Sequence, residues 1–389
     1  MFCMMFYTCS MVNAQDLPLV SPADSMKSVL GYLLPNTKGN VSANMNMEFY
    51  TSGAAYFTEG KLDRTAFELN RIRLEVLGSF WENFSYHFRQ SFSKYGNPES
   101  LDNVSSNIEY ALVSWNTSKN FKLTAGKQFF SLGGYEYYVS AIRVREYSEF
   151  NNHVPAYLTG IGGSLEITPN QELIVQILNN RNDSYDDTFL YGLPENINKT
   201  KVPIMTVLNW NGLFADNAIQ LRYAAAWGQI AEKKSLYYLT AGNIYEKGPV
   251  LAYVDLMYSN EGLDSKNIIS GMQGTSITNP VTAENVEYFA VIANVDFRIH
   301  SHWNVYVKGA YETAGVNKAH GIFEKGLYRT SWNVQACAEY MPMRKTELKI
   351  FAHLLYKGNH LTRRAEAVGA ELPNTQRISV GAVYVIPVF

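Results

Sequence analysis

From Phe84 to Phe92 the chain alternates without a break. Phe84, Tyr86, Phe88, Gln90 and Phe92 fall on one parity, and Ser85, His87, Arg89 and Ser91 on the other. Successive side chains of a β-strand point to opposite faces, so this stretch predicts a strand with an aromatic face and a polar face. The pattern recurs along the chain. Ile219, Leu221, Tyr223, Ala225 and Trp227 oppose Gln220 and Arg222, and Phe289, Val291, Ala293, Val295 and Phe297 oppose Tyr288, Asn294, Asp296 and Arg298. Leu348, Ile350, Ala352, Leu354 and Tyr356 oppose Glu347, Lys349 and His353. Ile378, Val380, Ala382, Tyr384 and Ile386 oppose Arg377 and Ser379.

Marking every such run predicts about sixteen strands, near residues 44–57, 66–78, 83–93, 104–116, 119–131, 157–168, 171–179, 201–210, 217–227, 235–245, 249–259, 285–299, 302–313, 326–341, 345–357 and 375–388. Most are close to the roughly 9–11 residues that a tilted strand needs to cross a bilayer. The connections alternate in length. Gly78–Glu82, Asn116–Lys119, Pro169–Asn170, Gly212–Asp216, Glu246–Gly248, His300–Ser301 and Pro342–Lys345 are short. Thr58–Asp63, Lys94–Asp102, Leu132–Pro155, Asn180–Lys199, Ser259–Glu284, Ala314–Lys325 and Gly358–Asn374 are longer and polar. An even strand number with short turns at one end and long loops at the other is the pattern of an outer-membrane β-barrel. The fold class is therefore all-β, a transmembrane antiparallel barrel spanning 42–389, with apolar faces turned to lipid and polar faces to the lumen. A secreted soluble sandwich would turn the aromatic faces inward, and repetition in strand after strand counts against it. The last run, Arg377–Phe389, ends on an aromatic, as the barrel-closing strand of such proteins does.

Composition narrows the class. Of 389 residues, 47% are hydrophobic yet only 14% aromatic and 17% charged, and no stretch is apolar enough for a membrane-spanning helix. A net charge of −2 without a Lys/Arg block argues against a nucleic-acid partner. Met1–Ala14, apolar and ending Val-Asn-Ala, reads as a signal peptide, although a basic n-region is missing. Residues 15–41 read as a short periplasmic segment with one helical turn around Met26–Leu33. Cys3 and Cys9 would leave with the signal, so Cys337 cannot form an internal disulfide and reads as a small packing residue.

The segments FELNRIRLEVLGSFWENFSYHFRQSFSK and LDNVSSNIEYALVSWNTSKNFKLTAGKQFFSLGGYE resemble the phosphate-selective porin O and P family. The resemblance rests on Arg71 and Arg73, Tyr86, Asp102 with Tyr110, and Ala125-Gly126-Lys127-Gln128-Phe129. It implies a sixteen-stranded, usually trimeric porin whose third extracellular loop narrows the lumen. The third long connection counted here is Leu132–Pro155.

Fixed charge near a constriction sets pore selectivity. Luminal parity selects Arg71, Arg73, Arg89 and Lys122 on strands two, three and five, and the third loop adds Arg143 and Arg145. Arginine suits oxyanions because its planar fork donates to two oxygens at once. The competing reading pairs these cations with Glu75, Glu109, Glu136, Glu146 and Glu149, which would anchor the loop to the wall. Tyr135, Tyr137, Tyr138 and Tyr147 either wedge the loop or offer a stacking strip. Asp183, Asp186 and Asp187 read as a solvated acidic loop. Trp210, Trp227, Trp303, Trp332 and Tyr384 fit interfacial girdles. The sequence holds no nucleophile elbow, phosphate-cradling glycine loop or metal-ligand spacing. The expected function is an outer-membrane porin passing small solutes with a phosphate-like anion preference, needing no cofactor or metal and partnering lipid and other copies of itself. A structural or adhesive barrel is the alternative.

Overall fold

The computed structural model describes residues 41–92, 107–275, 277–343 and 347–388. The signal segment, residues 15–40, the second long loop at 93–106 and Phe389 lie outside the described residues. Sixteen strands run β1 (Val41–Thr58), β2 (Lys61–Phe80), β3 (Phe84–Ser91), β4 (Ile108–Asn116), β5 (Phe121–Phe129), β6 (Tyr157–Thr168), β7 (Gln171–Asn179) and β8 (Ile204–Phe214). They continue as β9 (Ile219–Ala231), β10 (Lys234–Lys247), β11 (Val250–Leu263), β12 (Glu284–His300), β13 (Trp303–Val316), β14 (Gly326–Tyr340), β15 (Glu347–Leu361) and β16 (Thr375–Pro387). Each pairs antiparallel with its chain neighbours, and β1 pairs with β16 from Asn46↔Pro387 to Thr58↔Thr375, closing the sheet. Closure leaves no open sheet edge, which is what a β-structure in hydrocarbon requires.

The parity read from sequence holds. On β9, Ile219, Tyr223 and Trp227 are exposed on the outer face while Arg222, Ala224 and Ala226 are buried inside. On β15, Ile350 and Leu354 face out against Phe351, His353 and Leu355. Aromatics gather at both rims of the outer face, with Trp115, Trp210, Trp303 and Tyr340 near the short turns and Trp227 and Trp332 toward the long loops. Such girdles mark the two membrane interfaces.

Strand ends are where the sequence reading falls short. Thr58–Asp63 is not a long loop: Thr58 pairs with Lys61 around Glu59-Gly60, whose positive φ angles of 49° and 74° make a tight hairpin. The β9–β10 connection is equally short, with Ala231 paired to Lys234. Above the membrane the ladder continues through polar residues, so the period-2 hydrophobic signal that marks a strand disappears before the strand does. Inside the barrel, one apolar cluster joins Phe130, Leu132, Tyr137 and Phe150 to wall residues such as Tyr238, Met257 and Tyr288. A smaller one joins Tyr50, Tyr306, Phe351, Val383 and Val385 around the free, buried Cys337, which packs as a small side chain.

Candidate functional site

The β5–β6 connection, residues 130–156, folds into the lumen rather than out of it. It leaves β5 past Ser131, whose N–H donates to Gln176 Oε1 at 2.9 Å. Gly133 and Gly134, at φ 83° and 77°, then lay the backbone flat on the β9–β10 wall, where Gly134 N–H donates to the Arg222 carbonyl. The approach is so close that a Cβ on Gly242 of β10 would stand 2.6 Å from Gly134 Cα. Asp255 of β11, fully buried, accepts the backbone N–H groups of Tyr135 and Glu136 at 2.8 Å, capping the one-turn 3-10 helix Glu136–Tyr138.

Beyond that point the loop is fastened to the far wall. Glu136 is wholly buried, accepts from Ser148 Oγ at 2.6 Å and Asn151 Nδ2 at 2.7 Å, and pairs with Lys308 of β13. Glu312 of β13 accepts the N–H of Phe150 at 2.7 Å and of Glu149 at 3.1 Å, at the start of the turn Glu149–Asn152. Glu149 pairs with Arg329 of β14. Glu146 reaches Lys357 of β15 at 2.7 Å and Arg377 of β16 at 2.9 Å. Burial pulls the Glu146 carboxyl up, but Lys357 and Arg377 outweigh it and hold it below its ordinary value.

Between the loop and the opposite wall lies a cavity of about 290 Å³, bordered by Arg71, Arg73 and Arg89 from β2 and β3 and by Arg143 from the loop. Arg73 donates to Glu48 and Glu109, both at 2.9 Å. Arg89 meets Glu75 at 3.4 Å and Glu109 at 2.8 Å, and also donates to the Tyr157 hydroxyl. Arg71 and Arg143 form no ion pair among the described residues, and Arg143 is exposed to the lumen. The rest of the wall is largely aromatic. Tyr137 donates its hydroxyl to the Pro155 carbonyl at 2.9 Å and Tyr147 to the Val139 carbonyl at 2.5 Å. Tyr138 Oη accepts from Asn209 Nδ2 at 3.3 Å.

Four of the six candidate cations thus meet in one cavity, and two do not. Lys122 has the luminal parity expected of it, but it pairs with Asn116 beside the short β4–β5 turn, at the far end of β5 from the loop. Parity gives the face of a strand and not the height along it. Arg145 is buried against the Phe351 ring, 4.3 Å from its centroid, and donates to Glu339 of β14 at 2.5 Å. It is an anchor, not a cavity residue. Of the proposed acidic partners, Glu75 and Glu109 do pair with Arg73 and Arg89, whereas Glu136, Glu146 and Glu149 take cations of the opposite wall. Asp255, Lys308, Glu312, Arg329 and Glu339 escaped the sequence reading. Their signal was available: each is a charged residue on the luminal parity of a strand.

A model of the family "Phosphate-selective porin O and P" matches residues 41–386. Among solved structures, the outer-membrane channel DcaP of Acinetobacter baumannii aligns with a TM-score of 0.62 at 10% identity, covering 90% of this chain and 98% of that one. The anion-selective porin from Comamonas acidovorans aligns at 0.56 and 10% identity, covering 89% and 99%. OmpT of Vibrio cholerae aligns at 0.55 and 10% identity, covering 90% and 99%. At such identity these likenesses speak to the fold. A search of curated protein sequences returns no match. With the family model spanning nearly the whole barrel, the chain belongs to the phosphate-selective porin O and P family and is an outer-membrane porin.

Proposed function

We propose that this porin favours anions, and that the preference arises in the cavity between the inward-folded loop and the β2–β4 wall. The observation that carries the reading is the pairing balance. Arg71, Arg73, Arg89 and Arg143 border the cavity against Glu75 and Glu109, and the balance stays positive when Glu48 behind Arg73 is counted. Arg71 and Arg143 form no ion pair among the described residues where the lumen is confined, so they raise local anion concentration most. The anion-selective porin of Comamonas acidovorans, similar in fold, is consistent with this use of the architecture. Planar-bilayer recording of the purified protein in a KCl gradient tests it. An anion-selective reversal potential is expected, moving toward zero in the Arg71→Gln/Arg143→Gln variant. A wild-type channel without anion preference would end the reading.

The same reading includes a homotrimer. Val113, Trp115, Leu123, Ile161, Leu165, Val175 and Ile177 form a continuous apolar strip on the outer face of β4–β7, and a fold relative, OmpT of Vibrio cholerae, is described in a trimer form. Cross-linking in detergent to a species of three chains is the expected result.

A further inference from the structure

The cavity has two kinds of surface, and their proportions indicate which anion it suits. Among its guanidiniums, Arg73 and Arg89 are already committed. The two Nη atoms of Arg73 go to Glu48 and Glu109, and Arg89 spends Nη1, Nη2 and Nε on Glu75, Tyr157 and Glu109. That leaves Arg71 and Arg143 to receive a ligand. Inorganic phosphate is compact and strongly hydrated, and a site built for it surrounds it with donors on all sides. Two uncommitted forks, Arg71 from the wall and Arg143 from the loop, offer fewer donors than that, and either one matches a single carboxylate.

Besides Val139, Ser140, Asn151, Asn152, Val154 and Ala156, the remaining wall is aromatic. Tyr110, Tyr135, Tyr137, Tyr138, Tyr147 and Tyr157 all border the cavity. The hydroxyls of Tyr137 and Tyr147 donate to backbone carbonyls and are spent, while those of Tyr138 and Tyr157 accept from Asn209 and Arg89, so this wall presents ring surface with few hydroxyl donors. The rings already pack against one another and against Phe129, with centroids 4.9 Å apart for Tyr110 and Tyr157 and 4.7 Å for Phe129 and Tyr138. A flat aromatic body would extend this array by the same offset and edge-to-face contacts. We propose that the cavity selects organic anions with a flat aromatic body, bound by Arg71 and Arg143 at the charged end and by the tyrosine wall along the ring, over inorganic phosphate; this rests on the anion preference argued above.

The test uses the full-length channel in a planar bilayer, with benzoate, acetate, cyclohexanecarboxylate or phosphate added to one side of a KCl solution. Benzoate should reduce the chloride current with a half-blocking concentration about tenfold below that of acetate, the size of one good aromatic contact. Cyclohexanecarboxylate, apolar but not flat, and phosphate should both fall short of benzoate. Arg143→Gln and Tyr135→Leu, each on the lumen-facing loop rather than in a strand, should both bring benzoate down to the level of acetate. Tyr135→Leu removes no charge, so it should shift the KCl reversal potential less than Arg143→Gln does. If phosphate, acetate or cyclohexanecarboxylate blocks as well as benzoate while the KCl reversal potential stays anion-selective, the aromatic inference falls and the anion-preferring porin stands. If the wild-type reversal potential shows no anion preference, both fall.

Discussion

The two sides of the lumen use similar charged residues for different ends. On the β11–β16 side, Asp255, Lys308, Glu312, Arg329, Glu339, Lys357 and Arg377 are each matched to a group of the inward-folded loop. On the β2–β4 side, Arg73 and Arg89 pair among wall residues, and the cavity's Arg71 and Arg143 form no ion pair among the described residues. Charge therefore acts as a latch where it is consumed across the lumen and as a field where it is not. Desolvating a charge is costly unless a partner replaces the water, so the fully paired side can be dry and rigid. The open side keeps an excess of positive charge among the described residues that border the cavity. A luminal arginine count alone would confuse the two.

The sharpest way to break the contrast is to unlatch the loop without touching the arginines. Gly242→Leu places a side chain where Gly134 lies, and Asp255→Ala with Glu312→Ala removes two caps, each loss costing the docked loop about 1–3 kcal/mol. Both variants should give larger, noisier single-channel currents and weaker anion preference, because Arg143 leaves the cavity with the loop. Heat-modifiable migration on a gel should show the barrel still closed. Wild-type conductance in both variants would mean that the loop does not restrict the pore.

Two substitutions of smaller effect separate field from latch within one stretch of chain. Arg143→Glu should move the reversal potential toward cation preference with conductance nearly unchanged. The shift should shrink in 1 M salt, where the screening length falls to about 3 Å from about 10 Å at 0.1 M. Arg145→Gln should leave selectivity near wild type but increase current noise, since it strands Glu339 and loosens the contact with Phe351. Equal selectivity shifts from the two would erase the distinction between them. Glu109→Gln works in the other direction, releasing Arg73 and Arg89 from a shared carboxylate. It should strengthen anion preference modestly.

How far these assignments could be read from the chain follows from the distances over which each feature is encoded. A strand announces itself locally, through alternation at spacing two, and all sixteen strands were placed this way. The cations of β2 and β3 were legible because Arg71, Arg73 and Arg89 share a parity with polar neighbours and their acids Glu75 and Glu109 lie close by in the hairpin march. The latch was not legible. Glu136 with Lys308, and Arg145 with Glu339, are separated by 172 and 194 residues and meet only because the loop crosses the lumen. Nothing in local pattern says which wall a loop leans on. Lys122 failed for a related reason, since alternation is blind to depth.

The smallest expected effect is a pH dependence of the latch, and it bears on the difference between the two sides because the latch side holds the loop's own Glu146. Its carboxylate is held below the ordinary value of 4.5 by Lys357 and Arg377, against the opposing pull of burial. A group with a lowered value in the folded state stabilises that state fully above the ordinary value and loses the contribution as pH falls through the folded one. The Glu146 contribution to loop docking should therefore be constant from neutrality down to about 4.5 and be lost below it, seen as current noise that rises in acid in bilayer recordings. Glu146→Gln should show part of that noise already at pH 7, because Lys357 and Arg377 then lack their counter-charge. It should also respond less to acid than the wild type. Acid sensitivity of the same size in wild type and variant would assign the loosening to other carboxylates of the latch and leave Glu146 a passive contact.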